Sequence, residues 1–155
     1  MKVTFSTKAA SGKSKSNHAI VVAVSDSLKL GSQAASIDKK TKGAITRAIK
    51  SSNFKGKPGQ RLPIPGVQGL NGDRVVVMGL GKESDLKPLS YFQLGSAMAA
   101  ALNEAFAKSA EVVLDGSKKV KPADAAAQAA FGVRIGGYYF GKYFTKKKAD
   151  EKPSL

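Results

Sequence analysis

Apolar and polar positions follow two periods along this chain, and the points where one gives way to the other mark its elements. Lys2 to Thr7 alternates, with Val3 and Phe5 on one side, which predicts a half-buried strand. Ala10 to Asn17 consists largely of Ser, Gly, Lys and Asn and reads as a loop. In His18–Val24 the run Ile20-Val21-Val22-Ala23-Val24 is too continuous for either face to meet water, so a strand covered on both sides is expected. Asn71-Gly72-Asp73 supplies turn chemistry before Val75-Val76-Val77-Met78, a second apolar run too short for a helix and rich in β-branched residues. That segment, continued to Gly81, is the expected centre of the sheet. Ala110 to Leu114 predicts another strand, stopped by Asp115-Gly116.

Between Gln33 and Ser52 the period becomes helical. Ile37, Thr41, Ala44, Ile45, Ala48 and Ile49 project to one side, with lysine and arginine on the other, and one amphipathic helix is expected, weakened slightly by Gly43. Lys55 to Gly59 reads as a loop. Leu62-Pro63-Ile64-Pro65 reads as an edge strand or extended arm, because proline cannot donate to a ladder. Pro88 opens a helix running to about Ala107, whose many small residues permit close approach to a sheet or another helix. Pro122 opens the last helix, in which alanines give way to Phe131, Ile135, Tyr138, Tyr139 and Phe140 among Gly136, Gly137 and Gly141. The element order predicts an α/β fold, a three-layer sandwich with a mixed sheet between helices.

A length of 155 residues suits one core, and the absence of cysteine excludes a disulfide framework and thiolate chemistry. No apolar run approaches bilayer length, and the first residues do not form an export signal, so a soluble, unexported, cytoplasmic protein without a membrane partner is expected. The formal net charge of +15 and pI near 10.1 favour polyanions as encounter partners.

That charge is concentrated. Lys39, Lys40, Lys42, Arg47, Lys50, Lys55, Lys57 and Arg61 face a single acid, Asp38, between positions 38 and 61. The arrangement suits sequence-independent phosphate contacts; a solvated helix face explains the same pattern. Tyr138, Tyr139, Phe140, Tyr143 and Phe144, with Lys142 among them, are able to stack bases, but a cluster of this kind suits a domain interface better. Gly79-Leu80-Gly81 lacks the third glycine of a dinucleotide loop and reads as a tight turn, and Gly12-Lys13-Ser14 lacks the earlier glycine of a P-loop. His18 is the only histidine and the acids are scattered, so no metal site and no activated nucleophile are expected in this chain.

Several pieces taken in order are similar to a known family. Val77-Met78-Gly79-Leu80-Gly81-Lys82, the basic helix followed by Asn53-Phe54-Lys55-Gly56-Lys57-Pro58-Gly59-Gln60, and Tyr139-Phe140-Gly141-Lys142-Tyr143-Phe144-Thr145-Lys146-Lys147-Lys148 together resemble the N-terminal domain of cytosol (leucyl) aminopeptidases. The resemblance implies a macro-domain-like fold over 1–144 and a basic linker over 145–155 toward a C-terminal catalytic domain. It also implies a homo-hexameric parent enzyme that removes N-terminal residues from peptides using two divalent metals, zinc or manganese. The metal-site motif of that family, Asn-Thr-Asp-Ala-Glu-Gly-Arg, is absent here, so no catalytic or metal-binding residue carries over and the isolated chain is expected to be inactive. Some bacterial members bind DNA through the region of the basic helix, which keeps a nucleic-acid-binding module as the alternative. A macro-type ADP-ribose pocket is suggested by fold analogy alone.

Overall fold

Among the described residues the two continuous apolar runs become the inner strands of a four-stranded sheet. The computed structural model describes residue 4, residues 17–70 and residues 74–137. In chain order its elements are β1 (His18–Ser25), α1 (Ser32–Lys40), α2 (Ala44–Ser51), β2 (Arg61–Pro65), β3 (Arg74–Gly81), a single 3-10 turn (Glu83–Asp85), α3 (Pro88–Glu104), β4 (Ser109–Val113) and α4 (Pro122–Gly136). The expected strand at Lys2–Thr7, the turn at 71–73, the final turn of the last helix and the basic linker lie outside the described residues.

The strand order is β2-β3-β1-β4. β1 is parallel to both β3 and β4, with Val21 opposite Val76 and Val112, whereas β2 runs antiparallel to β3 with Leu62 opposite Val77. The sheet is therefore mixed. Alternation along β1 and β3 sends side chains into two cores. Ile20, Val22, Val24, Val75 and Val77 meet Ile37 of α1 and Ile45 and Ile49 of α2 on one face. Val21, Ala23, Val76 and Met78 meet Tyr91, Leu94, Met98 and Leu102 of α3 and Ala125 of α4 on the other. Helices cover both sides, which is the expected sandwich, and Val75 to Met78 sits between two strands and two helical layers.

The single helix expected over 33–52 is two helices. After α1 the backbone turns left-handed at Lys42 (φ 53°) and again at Gly43 (φ 77°). Gly43 N–H reaches back to the Asp38 carbonyl at 2.7 Å and Lys42 N–H to the Lys39 carbonyl at 3.1 Å, a Schellman-type stop. Gly43 thus ends one helix and opens the next instead of merely weakening one. The apolar period survives the break because Ala34 and Ile37 on one side of it, and Ile45 and Ile49 on the other, pack into the same core.

α3 begins as expected at Pro88, where Ser90 Oγ accepts the Lys87 N–H at 3.3 Å. It lies against α4 at backbone range. A Cβ built on Gly95 would stand 2.1 Å from the Ala129 carbonyl oxygen, and one on Gly132 only 2.0 Å from that of Phe92. β2 is the edge strand that its prolines predict. Since Gly79 N–H bonds to the Gln60 carbonyl, the alternation of the antiparallel ladder leaves the nitrogens of Arg61, Pro63 and Pro65 facing away from β3.

Candidate functional site

The cationic segment folds with all its positive side chains in water. Lys39, Lys40, Lys42, Arg47, Lys50, Lys55, Lys57 and Arg61 are each exposed, distributed over α1, the break, α2, the following loop and the start of β2. Lys39 and Lys40 occupy the last turn of α1, where the helix dipole favours cations. The Arg47 guanidinium donates to the Lys42 carbonyl across the break.

Asp38, the only acid in this stretch, points back into the fold. Its Oδ1 accepts the backbone N–H groups of Ile45 and Thr46 at 2.9 and 3.1 Å, and its Oδ2 accepts the Thr46 hydroxyl at 2.5 Å. The carboxylate satisfies the free amides at the start of α2 and neutralises none of the neighbouring lysines by an ion pair. Gln60 plays the corresponding part for the loop. Its Oε1 accepts the N–H groups of Lys55 and Lys57 at 2.8 and 3.3 Å, and its Nε2 donates to the Asn53 carbonyl at 3.0 Å. Arg61 leaves the segment for an ion pair with Glu104 of α3 at 2.9 Å.

Beside α2, Leu28, Leu30, Ile49 and Phe54 line a surface cavity of about 280 Å³, with Lys50 and Lys55 at its margin. At the carboxyl ends of the parallel strands, where open α/β sheets usually receive ligands, several of the chain's own side chains bond back to the fold. Asp115 lies over Gly31 at the start of α1 and accepts the Ser32 hydroxyl at 3.5 Å. Asp26 accepts the Glu83 N–H at 3.2 Å, and Lys119 Nζ donates to the Ser84 carbonyl at 2.6 Å. Acidic and basic side chains thus both mark this end of the sheet. Beneath it the phenol of Tyr91 is fully buried, and its hydroxyl reaches toward Ser117 without a hydrogen bond of ordinary geometry. Burial pushes the Tyr91 hydroxyl above its usual range; the approach to Ser117 works against that rise, and Asp115 and Glu83 add to it.

Gly79 and Gly81 belong to β3 itself. A Cβ on Gly79 would stand 2.0 Å from the Lys57 carbonyl oxygen, and Gly81 has φ 93°, so the glycines let the 56–60 loop lie across the strand end. His18 is a strand-starting residue whose Nδ1 lies 2.8 Å from Ser109 Oγ, linking β1 to β4. Among the described residues no three His, Asp or Glu side chains converge to hold a metal ion, so they do not fit the two-metal site that the resemblance implies. Gly12-Lys13-Ser14 and the aromatics Tyr138, Tyr139, Phe140, Tyr143 and Phe144 lie outside the described residues.

Reading the sequence missed Asp38 and Gln60 as organisers of this surface, and Phe131 and Ile135 as surface groups, 56% and 52% exposed. An acid six residues ahead of Ala44 is a capping signal only once a helix start is recognised there.

The profile of the cytosol aminopeptidase family, N-terminal domain, matches residues 21–147. This chain belongs to the cytosol aminopeptidase family. A probable cytosol aminopeptidase of Rhodopseudomonas palustris is 43% identical over 113 residues, 71% of this chain and 22% of the relative. One from Xanthobacter autotrophicus is 36% identical over 132 residues, 84% of this chain and 26% of the relative. The chain thus spans about a quarter of the length of these relatives. A mutant of tomato leucine aminopeptidase has the same fold, with a TM-score of 0.70 at 23% identity over 90% of this chain and 28% of that one. The bottromycin maturation enzyme BotP in complex with Mn has a TM-score of 0.59 at 19% identity, over 84% of this chain and 25% of that one.

Proposed function

We propose that this cytosol aminopeptidase domain is a non-catalytic packing module. In this reading it docks on a metal-bearing catalytic domain, and the joined enzyme removes N-terminal residues, leucine among them, from peptides in the cytoplasm as a hexamer. The observation that carries it is the match of residues 21–147 to the N-terminal domain of the family. The chemistry of the side chains agrees with that division of labour. Asp38 is spent on helix amides, Glu104 on Arg61, and Asp26 on the Glu83 N–H, so these acids hold the fold in shape. No step of peptide hydrolysis is assigned to residues of this chain.

The test is an aminopeptidase assay on leucine p-nitroanilide with added Mn²⁺. The chain alone is expected to give no turnover, and turnover above the buffer rate overturns the proposal. Mixed with the separately produced remainder of the Rhodopseudomonas relative, it is expected to form a complex of hexameric mass by light scattering.

A second reading rests on the exposed cations around Asp38, whose carboxylate is turned inward. They would hold duplex DNA through phosphates, without base readout. A gel shift at rising salt, repeated with Lys39, Lys40 and Lys42 changed to Ala, tests it. Retention that resists both treatments, or no retention at low salt, removes this reading.

A further inference from the structure

Helix α4 buries small residues and leaves Phe131 and Ile135 outward, with Val133 partly buried against the core. Its buried positions are Ala125, Ala129 and Gly132. The approach to α3 at Gly95 and Gly132 is continued at Gly136, where a Cβ would stand 2.7 Å from the Ser96 carbonyl oxygen. Backbones this close leave no room between the helices for a bulky side chain. Phe131 and Ile135, four positions apart and so on one side of the helix, are left more than half exposed, and the Phe131 ring meets Phe92 of α3 with centroids 5.5 Å apart.

A helix with only α3 and the sheet to pack on would gain more by turning Phe131 and Ile135 inward, because buried area rather than closeness sets the hydrophobic gain. The observed choice suits a helix held between two partners, tight against one and apolar toward the other. The remainder of the relatives' chains identifies the second partner. The match is to an N-terminal domain and covers about a quarter of their length, so most of each relative lies beyond the segment equivalent to α4.

We infer that Phe92, Phe131 and Ile135 form the docking face for the catalytic domain that succeeds this domain in its relatives. The inference rests on the packing role proposed above and assigns it a surface. That surface belongs to α3 and α4, on the opposite side of the sheet from the cationic helices.

The experiment measures binding of the chain to the separately produced remainder of the Rhodopseudomonas relative, used once a cooperative thermal melt has shown that remainder to be folded, by calorimetry, for the unsubstituted chain, Phe131→Asp, Ile135→Asp and the double variant, with Lys39→Ala as a control on the far surface. The double variant is expected to bind at least about tenfold more weakly, as for a central apolar anchor, while its own melting temperature and the affinity of the control stay unchanged. Equal binding by the unsubstituted and doubly substituted chains overturns the surface assignment and leaves the packing role standing. Loss of fold in the variants overturns it too, since the two residues would then be core. A dimer of the chain alone that the double variant dissolves would make a second copy the occupant and overturn it likewise. Absence of any complex with the unsubstituted chain counts instead against the packing role.

Discussion

Asp38 accepts a 2.5 Å hydrogen bond from the Thr46 hydroxyl across the break between α1 and α2, and the same carboxylate accepts two backbone N–H groups. One side chain therefore fixes the angle at which two lysine-bearing helices meet. Asp38→Ala leaves those amides unpaired and is expected to destabilise the chain by about 1–2 kcal/mol in urea unfolding. Asp38→Asn, which keeps one acceptor oxygen, should recover part of that loss. Equal stability of all three proteins would mean that Gly43 alone sets the junction.

Gly132 and Gly59 separate two reasons for glycine. At Gly59 nothing lies within 4 Å of a Cβ, but φ is 75°, so Gly59→Ala should cost about 1–2 kcal/mol through backbone strain alone. Gly132 is helical, where alanine is intrinsically better by up to about 1 kcal/mol, yet the new methyl would stand 2.0 Å from the Phe92 carbonyl oxygen. The contact outweighs the propensity, and Gly132→Ala is expected to lose about 1–3 kcal/mol as α3 and α4 separate. Thermal melts of both variants check the sign.

The buried phenol of Tyr91 makes stability fall in alkali. Its folded-state pKa is raised, so the unfolded chain gives up this proton first, and the contribution is full below about pH 10 and declines as pH rises past that value. Tyr91→Phe removes a hydroxyl without a good partner and should leave stability at neutral pH unchanged or slightly higher. Above pH 10 the variant should lose less stability than the parent, as measured by denaturant midpoints across pH.

Arg61 and Glu104 form an ion pair between side chains that are 42% and 61% exposed. Water screens such a pair, and Glu104→Gln is expected to change unfolding free energy by no more than about 1 kcal/mol. A larger loss would show that the pair, and not the sheet register, holds the end of α3 to β2.

The sheet was legible because its evidence is local. Ile20 to Val24 and Val75 to Met78 have no polar face to turn to water, and Pro63 and Pro65 exclude β2 from the centre. The double helix was not legible. A 3.6-residue period counts only which residues are buried, and Ile37 and Ile49 are buried in one core whether or not the backbone reverses between them. Left-handed Lys42 carried no warning either, since lysine seldom takes that conformation. The concentration of cations between positions 38 and 61 was legible, but the residues that position them, Asp38 and Gln60, act through hydrogen bonds spanning seven or eight and up to seven positions, which no short motif encodes. The inverted packing of α4 depends on how near α3 comes, and only the fold sets that distance.

At β2 the outward nitrogens of Pro63 and Pro65 bear no hydrogen, so a strand from another molecule laid along this rim would lose two of the donors it needs. Ribbon-like growth from copy to copy stops there. The prolines thus keep this rim, one of the two ends of the β2-β3-β1-β4 order among the described residues, from templating a sheet between copies.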